Sequence, residues 1–166
     1  FEESQPDNTN LVSVVNGIST LAEKIPSSRR PVMYVGAGAR HAWKELREFA
    51  FKLGIPVTTT LKAKGVIPES HSLSLGMLGM HGTAYANYAV DEADLIIAVG
   101  ARFDDRITGN PKRFAQNAYI AHIDIDPKGI GPSGIRRPQL TIKWDTQRAL
   151  EALNSLEIKK PDLSAW

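Results

Sequence analysis

The sequence contains no cysteine, only four histidines and no long apolar run. Without cysteine the chain has neither disulfide bonds nor thiolate metal sites, and the scattered histidines form no H-x-x-x-H pair, which argues against a zinc centre. The longest apolar runs, such as 95–99, are far shorter than the roughly 20 residues that a membrane helix requires. We therefore expect a soluble protein with no metal site and no membrane partner.

A strong excess of one charge is also missing. Twenty basic residues face eighteen acidic ones, which gives a formal net charge of +2, and the basic residues are dispersed along the chain. This pattern gives no support to nucleic-acid binding. Hydrophobic residues make up 42% and charged residues 23% of the chain, as in an ordinary globular protein, which excludes disordered and fibrous classes.

A chain of 166 residues fits a single domain with one core. It begins with Phe1 rather than methionine, so we expect a piece of a longer protein. Residues 1–10 and 159–166 are polar and contain proline, as interdomain linkers often do. We therefore predict a linker at 1–10, a domain at 11–158 and a second linker at 159–166.

Predicted strands and helices alternate along the chain. The predicted strands are 32–35, 55–59, 72–75, 95–99, 119–124 and 140–142. Helices are predicted from apolar positions at helical spacing, namely Leu11, Val14, Val15, Ile18, Leu21, Ala22 and Ile25; Trp43, Leu46, Phe49, Ala50 and Leu53; and Ala149, Leu150, Leu153 and Leu156. A further helix opens at Gly82 and Thr83, and Asp145 is expected to cap the last one. The alternation predicts an α/β fold with a mainly parallel sheet.

The turn Gly36-Ala37-Gly38 lies between a strand and a helix, where backbone amides and the helix dipole favour a phosphate. His41 takes the place of the third glycine of G-x-G-x-x-G, and the second strand ends in threonines rather than in a ribose-binding carboxylate. A standard NAD dehydrogenase is therefore disfavoured. The alternative is that these glycines only make a tight turn.

Two further segments follow strands or precede helices. Leu78-Gly79-Met80-His81-Gly82 precedes a helix, so its amides and the side chains of Met80 and His81 are candidates for ligand contacts, although His81 alone more often bonds a helix terminus. In the segment 100–106, Arg102 and Arg106 can grip phosphate and Asp104 and Asp105 can accept from hydroxyls, unless the loop is only a solvated ion-pair cluster.

Two acidic residues are candidates for a ribose diol. Asp124 lies at the end of a predicted strand, and Asp145 lies at the start of the last helix. The competing roles are turn initiation near Asp126-Pro127 and helix capping by Asp145.

The span 31–153, and most specifically the motif-rich stretch 77–109, resembles the middle domain of the acetohydroxyacid synthase (acetolactate synthase) catalytic subunit. The resemblance implies a three-layer Rossmann-like α/β domain of the DHS-like FAD/NAD-binding type, with about six strands, that holds FAD without using it for redox turnover. The flavin contacts implied by the matching motifs are Gly36, Ala37, Gly38, Thr60, Leu61, Leu78, Gly79, Met80, His81, Gly100, Ala101, Arg102, Phe103, Asp104, Asp124, Ile125, Asp145 and Thr146. Met80, Asp105 and Arg106 match positions that line the family's substrate channel.

The same resemblance implies a parent that condenses pyruvate with a second 2-ketoacid in branched-chain amino-acid biosynthesis. Its thiamine diphosphate and magnesium would be held by flanking domains, and this chain has no Gly-Asp-Gly motif, no catalytic residue and no metal ligand of its own. We therefore expect the chain alone to be inactive. A homo-oligomer with a regulatory subunit is implied, located in the cytoplasm of a bacterium or in the plastid or mitochondrion of a eukaryote.

Three residues depart from the family pattern. Ala37 replaces a glycine, Lys62 follows Thr60-Leu61 where apolar residues are usual, and Trp144 replaces a glycine before Asp145. They favour an alternative, a scaffold domain that has lost FAD. A third hypothesis is a related carboligase, oxidase or sulfoacetaldehyde-type enzyme, against which the segment Phe103-Asp104-Asp105-Arg106 argues.

Overall fold

The computed structural model describes residues 8–129 and 137–166. The strands are β1 (Pro31–Val35), β2 (Val57–Thr59), β3 (Ser74–Met77), β4 (Leu95–Val99), β5 (Tyr119–Asp124) and β6 (Leu140–Lys143). The helices are α1 (Asn8–Lys24), α2 (Trp43–Leu53), α3 (Ala84–Glu92), α4 (Asp105–Thr108) and α5 (Thr146–Asn154). All strand pairs are parallel, in the order β3-β2-β1-β4-β5-β6. This confirms the predicted three-layer α/β fold with a parallel sheet of six strands.

The centre of the sheet is buried on both faces. Every residue of β1 and β4 is buried, and the two strands pair in register from Pro31 opposite Leu95 to Val35 opposite Val99. Strands covered by helices on both sides are expected to be continuously apolar, which is why these runs show no alternation with polar residues. The prediction of both strands from short apolar runs was correct for this reason.

Two hydrophobic clusters lie on opposite faces of the sheet. Met33 and Val35 point into one cluster, together with residues of α1, α2 and α5. Val32 and Tyr34 point into the other, together with α3 and the segment that carries Phe103 and Phe114. Full burial of one such large side chain contributes about 1.5–3 kcal/mol, so each face supplies a substantial part of the stability.

The apolar face predicted for α1 is partly wrong. Leu11 and Val15 are 38% and 61% exposed, whereas Val14 is buried. Gly17 faces β6 instead, and a Cβ added to it would lie 2.8 Å from Cγ1 of Ile142. The buried face of α1 consists of Val14, Gly17, Ile18 and Leu21, so it is narrower than predicted.

Two other apolar assignments were also wrong. Trp43 begins α2 but is 40% exposed, and its ring lies 4.5 Å from the Arg47 guanidinium carbon. Leu156 lies beyond the end of α5 and is 38% exposed. Trp43 is the first residue of α2 and Leu156 lies after the last residue of α5. At these ends, helical spacing no longer predicts that a side chain faces the core. The strand predicted at 72–75 lies two residues later, as β3. The short helix α4 was not predicted.

The C-terminal segment packs against the domain. Pro161 is buried, and the Trp166 indole Nε1 donates to the Pro31 carbonyl at 3.2 Å. Residues 1–7 of the predicted N-terminal linker lie outside the described residues. The assignment of both ends as linkers stays a prediction. Within the described part of the chain, no helix is both long and apolar enough to span a membrane.

Candidate functional site

A groove of about 1060 Å³ lies at the carboxyl edge of the sheet. The strand order reverses between β1 and β4, and open α/β sheets bind ligands outside the carboxyl ends of the strands at such a reversal. We call this cavity the carboxyl-edge groove. It is lined by Tyr34, Gly36, Ala37, Gly38, Thr60, Leu61, Lys62, Met77, Leu78, Gly79, Met80, His81, Gly100, Arg102, Asp104, Ile107 and Asp124.

The loops after β1 and β4 pack directly on one another. The Gly36 amide donates to the Val99 carbonyl and the Gly38 amide to the Gly100 carbonyl, both at 3.0 Å. A Cβ on Gly36 would overlap the Gly100 carbonyl oxygen, and Gly100 itself has a φ of +59°. Contact between the loops thus requires glycine here whether or not a ligand binds, which agrees with the tight-turn alternative.

The start of α5 is joined to the glycine turn. Thr146 Oγ1 donates to the Gly38 carbonyl at 2.8 Å, and Asp145 Oδ2 lies 3.0 Å from His41 Nε2. Asp145 Oδ1 accepts from the Arg148 amide at 3.0 Å, which confirms the predicted helix cap. Both carboxylate oxygens of Asp145 therefore have partners within the protein. The prediction that Asp145 and Thr146 contact a cofactor is untested.

Tyr34 of β1 contacts the loop after β4. Its hydroxyl donates to the Arg102 carbonyl at 3.1 Å, and its ring centre lies 5.5 Å from that of Phe103. Burial, together with the negative charge of Asp104, raises the pKa of Tyr34 far above its usual value, so the hydroxyl stays a neutral donor. In this loop Ala101 and Phe103 are buried in the same cluster as Tyr34, while Arg102 and Asp104 are exposed in the groove.

His122 and Asp124 both belong to β5, and of the two Asp124 lines the groove. His122 is 2% exposed, and its Nε2 lies 2.8 Å from the Ala101 carbonyl and 3.6 Å from Asp124 Oδ2. Partial burial acts to raise the pKa of Asp124, but the neighbouring His122 and the hydrogen bond from the Asp126 amide outweigh burial and hold that pKa below its usual value. The ionised carboxylate only accepts hydrogen bonds, which suits a diol.

His122 was missed in the sequence, although a histidine inside the apolar strand β5 is itself a signal. A buried polar side chain needs a partner, and here that partner is a carbonyl of the neighbouring loop. Across residues 8–129 and 137–166, no three acidic or histidine side chains are grouped so that they could hold a metal ion.

The opposite wall comes from β2, β3 and the loop before α3. Met80 is 79% exposed, Leu61 is 68% exposed, and Lys62 adds a cation beside them. Thr83 caps α3 by accepting from the Ala86 amide at 3.1 Å, and the helix begins next to the predicted start at Gly82 and Thr83. Trp144 is not among the lining residues and packs against the core under α1 and α5.

The structure brings most of the predicted cofactor positions into one groove. The exceptions are Ala101, Phe103, Ile125, Asp145 and Thr146. Of the predicted channel residues, Met80 lines the groove, whereas Asp105 and Arg106 begin α4 and their side chains lie outside what the structure describes. Tyr34, Met77 and Ile107 line the groove but were not predicted, because only the tertiary fold places them there.

Comparison with known proteins agrees with this architecture. The family model for the thiamine pyrophosphate enzyme central domain matches residues 18–153. Acetolactate synthase 1, chloroplastic, of Zea mays is 53% identical over 147 residues, which are 86% of this chain and 23% of that protein. The acetolactate synthase large subunit of Cyanidium caldarium is 50% identical over 160 residues, which are 92% of this chain and 27% of that protein.

The chain therefore spans about a quarter of the length of these relatives. The matched residues include all six strands and the whole carboxyl-edge groove. By fold and by sequence, this chain belongs to the thiamine pyrophosphate enzyme family, in which it is a central domain.

Proposed function

We propose that this chain is the FAD-binding central domain of an acetolactate synthase large subunit. The whole protein would condense pyruvate with a second 2-ketoacid and release carbon dioxide, in branched-chain amino-acid biosynthesis. The observation that carries the proposal is the carboxyl-edge groove, whose lining contains most positions implied by the family motifs. The names of the similar proteins support the same activity.

The residues of the groove fit FAD. Its volume of about 1060 Å³ lies just above the roughly 300–1,000 Å³ typical of ligand pockets, as suits a dinucleotide. Arg102 and Lys62 offer cations to a diphosphate, and Asp124 offers an acceptor to hydroxyls. Leu61 and Met80 offer exposed apolar surface to a ring. FAD bound here would have a structural role rather than a redox role in turnover.

The catalytic centre would lie elsewhere in the longer protein. Flanking domains would bind thiamine diphosphate and magnesium, and the protein would form a homo-oligomer with a regulatory subunit. Met80, Asp105 and Arg106 would line the channel that leads to that centre. The chloroplastic relatives favour a plastid location, with the mitochondrion or the bacterial cytoplasm as the alternatives.

The alternative of a scaffold domain without FAD has weaker support. Ala37 and Lys62 do line the groove, as that alternative requires. Trp144 does not favour it, because its side chain packs on the core and leaves the groove open. A lysine beside the groove is also compatible with an anionic ligand.

The test uses the full-length protein that contains this chain. We expect the purified protein to contain FAD and to form acetolactate from pyruvate with thiamine diphosphate and magnesium. Acetolactate formation with no flavin, and no response to added FAD, would support the scaffold alternative. Flavin binding without acetolactate formation would point to another carboligase.

A further inference from the structure

Met80 and His81 stand on a turn whose shape is not set by regular secondary structure. The turn joins β3 to α3, and both side chains line the carboxyl-edge groove while remaining exposed. Gly79, which precedes them, is buried and has a φ of +107°. The Gly82 amide donates to the Gly79 carbonyl and the Thr83 amide to the Met77 carbonyl, both at 2.9 Å, but the Gly79 amide needs a partner from outside the turn.

Asn87 of α3 binds the backbone of Gly79 through both the oxygen and the nitrogen of its side-chain amide. The Gly79 amide donates to Asn87 Oδ1 at 3.2 Å, and Asn87 Nδ2 donates to the Gly79 carbonyl at 3.0 Å. The same Nδ2 donates to the Thr83 carbonyl at 3.0 Å. Asn87 is half-buried and borders a smaller neighbouring cavity of about 580 Å³ rather than the groove.

This pattern of bonds is specific to an asparagine. A donor and an acceptor must face the same glycine, and an ionised aspartate supplies acceptors only. Thr83 already caps α3, so Asn87 is not needed to begin the helix. Its bonds serve the turn instead.

We infer that Asn87 is a positioning residue, which fixes the Gly79 turn and so holds Met80 and His81 in the wall of the groove. The part of this inference that concerns FAD rests on the proposed function. The part that concerns the turn does not, because the three hydrogen bonds of the Asn87 side chain join residues of this chain alone.

The experiment compares Asn87→Asp and Asn87→Ala with wild type in the full-length protein. Hydrogen exchange is measured for peptides covering 76–83 and, as a reference, 95–99, and FAD affinity is measured by equilibrium dialysis. Loss of hydrogen bonds worth about 1.4 kcal/mol corresponds to about tenfold. We expect about tenfold faster exchange of the turn, unchanged exchange of β4 and about tenfold weaker FAD binding. Asn16→Asp on an exposed part of α1 is the matched control and should resemble wild type.

The outcomes separate the two ideas. If wild type binds no FAD, the proposed function fails, while the exchange data still decide whether Asn87 holds the turn. Unchanged exchange at 76–83 in both variants would overturn the inference that Asn87 holds the Gly79 turn. Faster exchange in β4 as well would show that Asn87 stabilises the whole domain, and it would overturn the assignment of Asn87 as a positioning residue of the turn. Faster local exchange with unaltered FAD affinity would overturn its role in the groove.

Discussion

Gly36 lies so close to Gly100 that a Cβ at Gly36 would overlap the Gly100 carbonyl oxygen, and this close approach accompanies the hydrogen bonds that join the loops after β1 and β4. A methyl group at Gly36 would also meet the α-carbon of Ala101. These obstacles are backbone atoms, which cannot rotate away as a side chain can. The floor of the carboxyl-edge groove is therefore set by two glycines before any ligand is considered.

Gly36→Ala should lower the free energy of unfolding by about 1–3 kcal/mol, the usual cost of overpacking. Urea unfolding of the purified chain measures it. Ala37→Gly is the control: Ala37 is exposed, and its loss should cost no more than about 1 kcal/mol. Equal stability of Gly36→Ala and wild type would contradict the packing described here.

Asp94 should stabilise the fold in a pH-dependent way. It accepts from Ser28 Oγ at 2.6 Å and from the amides of Arg29 and Arg30 at 2.7 and 2.9 Å. Partial burial acts to raise the pKa of Asp94, but these hydrogen bonds hold it below the usual value. The stabilisation is therefore present above the unfolded pKa of about 3.9 and is lost as the pH falls through the folded pKa.

Asp94→Asn should consequently cost about 1–3 kcal/mol at pH 7 and progressively less below about pH 4. Urea unfolding at a series of pH values measures the difference from wild type. Asp91→Asn, an exposed change of the same charge, should have little effect. A cost that does not depend on pH would mean that the carboxylate charge is not responsible.

Gly79→Val should impair FAD binding in the full-length protein. A β-branched residue at a φ of +107° is strained by about 1–3 kcal/mol, so the turn that carries Met80 should move. We expect at least about tenfold weaker affinity by equilibrium dialysis. Gly65→Val imposes similar strain at a φ of +91°, in open space outside the groove lining, and should leave affinity unchanged.

Arg102→Ala should also weaken FAD binding. The Arg102 side chain is exposed in the groove, and it has no ion pair with any side chain that the structure describes. A charged hydrogen bond contributes about 1.5–3 kcal/mol, so affinity should fall about ten- to a hundredfold. Arg30→Ala, at the opposite edge of the sheet, is the control. Unchanged flavin content after Arg102→Ala would favour the scaffold alternative.

The 166-residue chain alone should fold but bind FAD weakly. Its two clusters bury a core without help, whereas a cofactor at the open carboxyl edge would lose any cover given by neighbouring domains. A loss of about 4 kcal/mol would weaken binding about a thousandfold. Thermal unfolding checks folding, and dialysis against FAD checks binding. Tight binding by the chain alone would show that this domain forms the site unaided.

Local signals predicted most of the fold. Val32, Ile97 and their neighbours form apolar runs, and Thr83 and Asp145 have the side chains that cap helices. Each of these features depends on residues within a few positions of one another. Val15 and Trp43 were misjudged because exposure depends on where a helix meets the sheet, which spacing along one helix does not specify.

The sequence by itself determined the order of strands and helices, the family and which loops carry glycine and charge, since these follow from local patterns and from motif resemblance. Only the tertiary structure decided how those loops meet. It places Gly36 against Gly100, His122 next to the Ala101 carbonyl and Asn87 next to Gly79. These pairs are 64, 21 and 8 positions apart in the chain, and no spacing rule relates them. Parallel strands bring their carboxyl ends to one edge, and the groove exists because packing then closes the loops on one another.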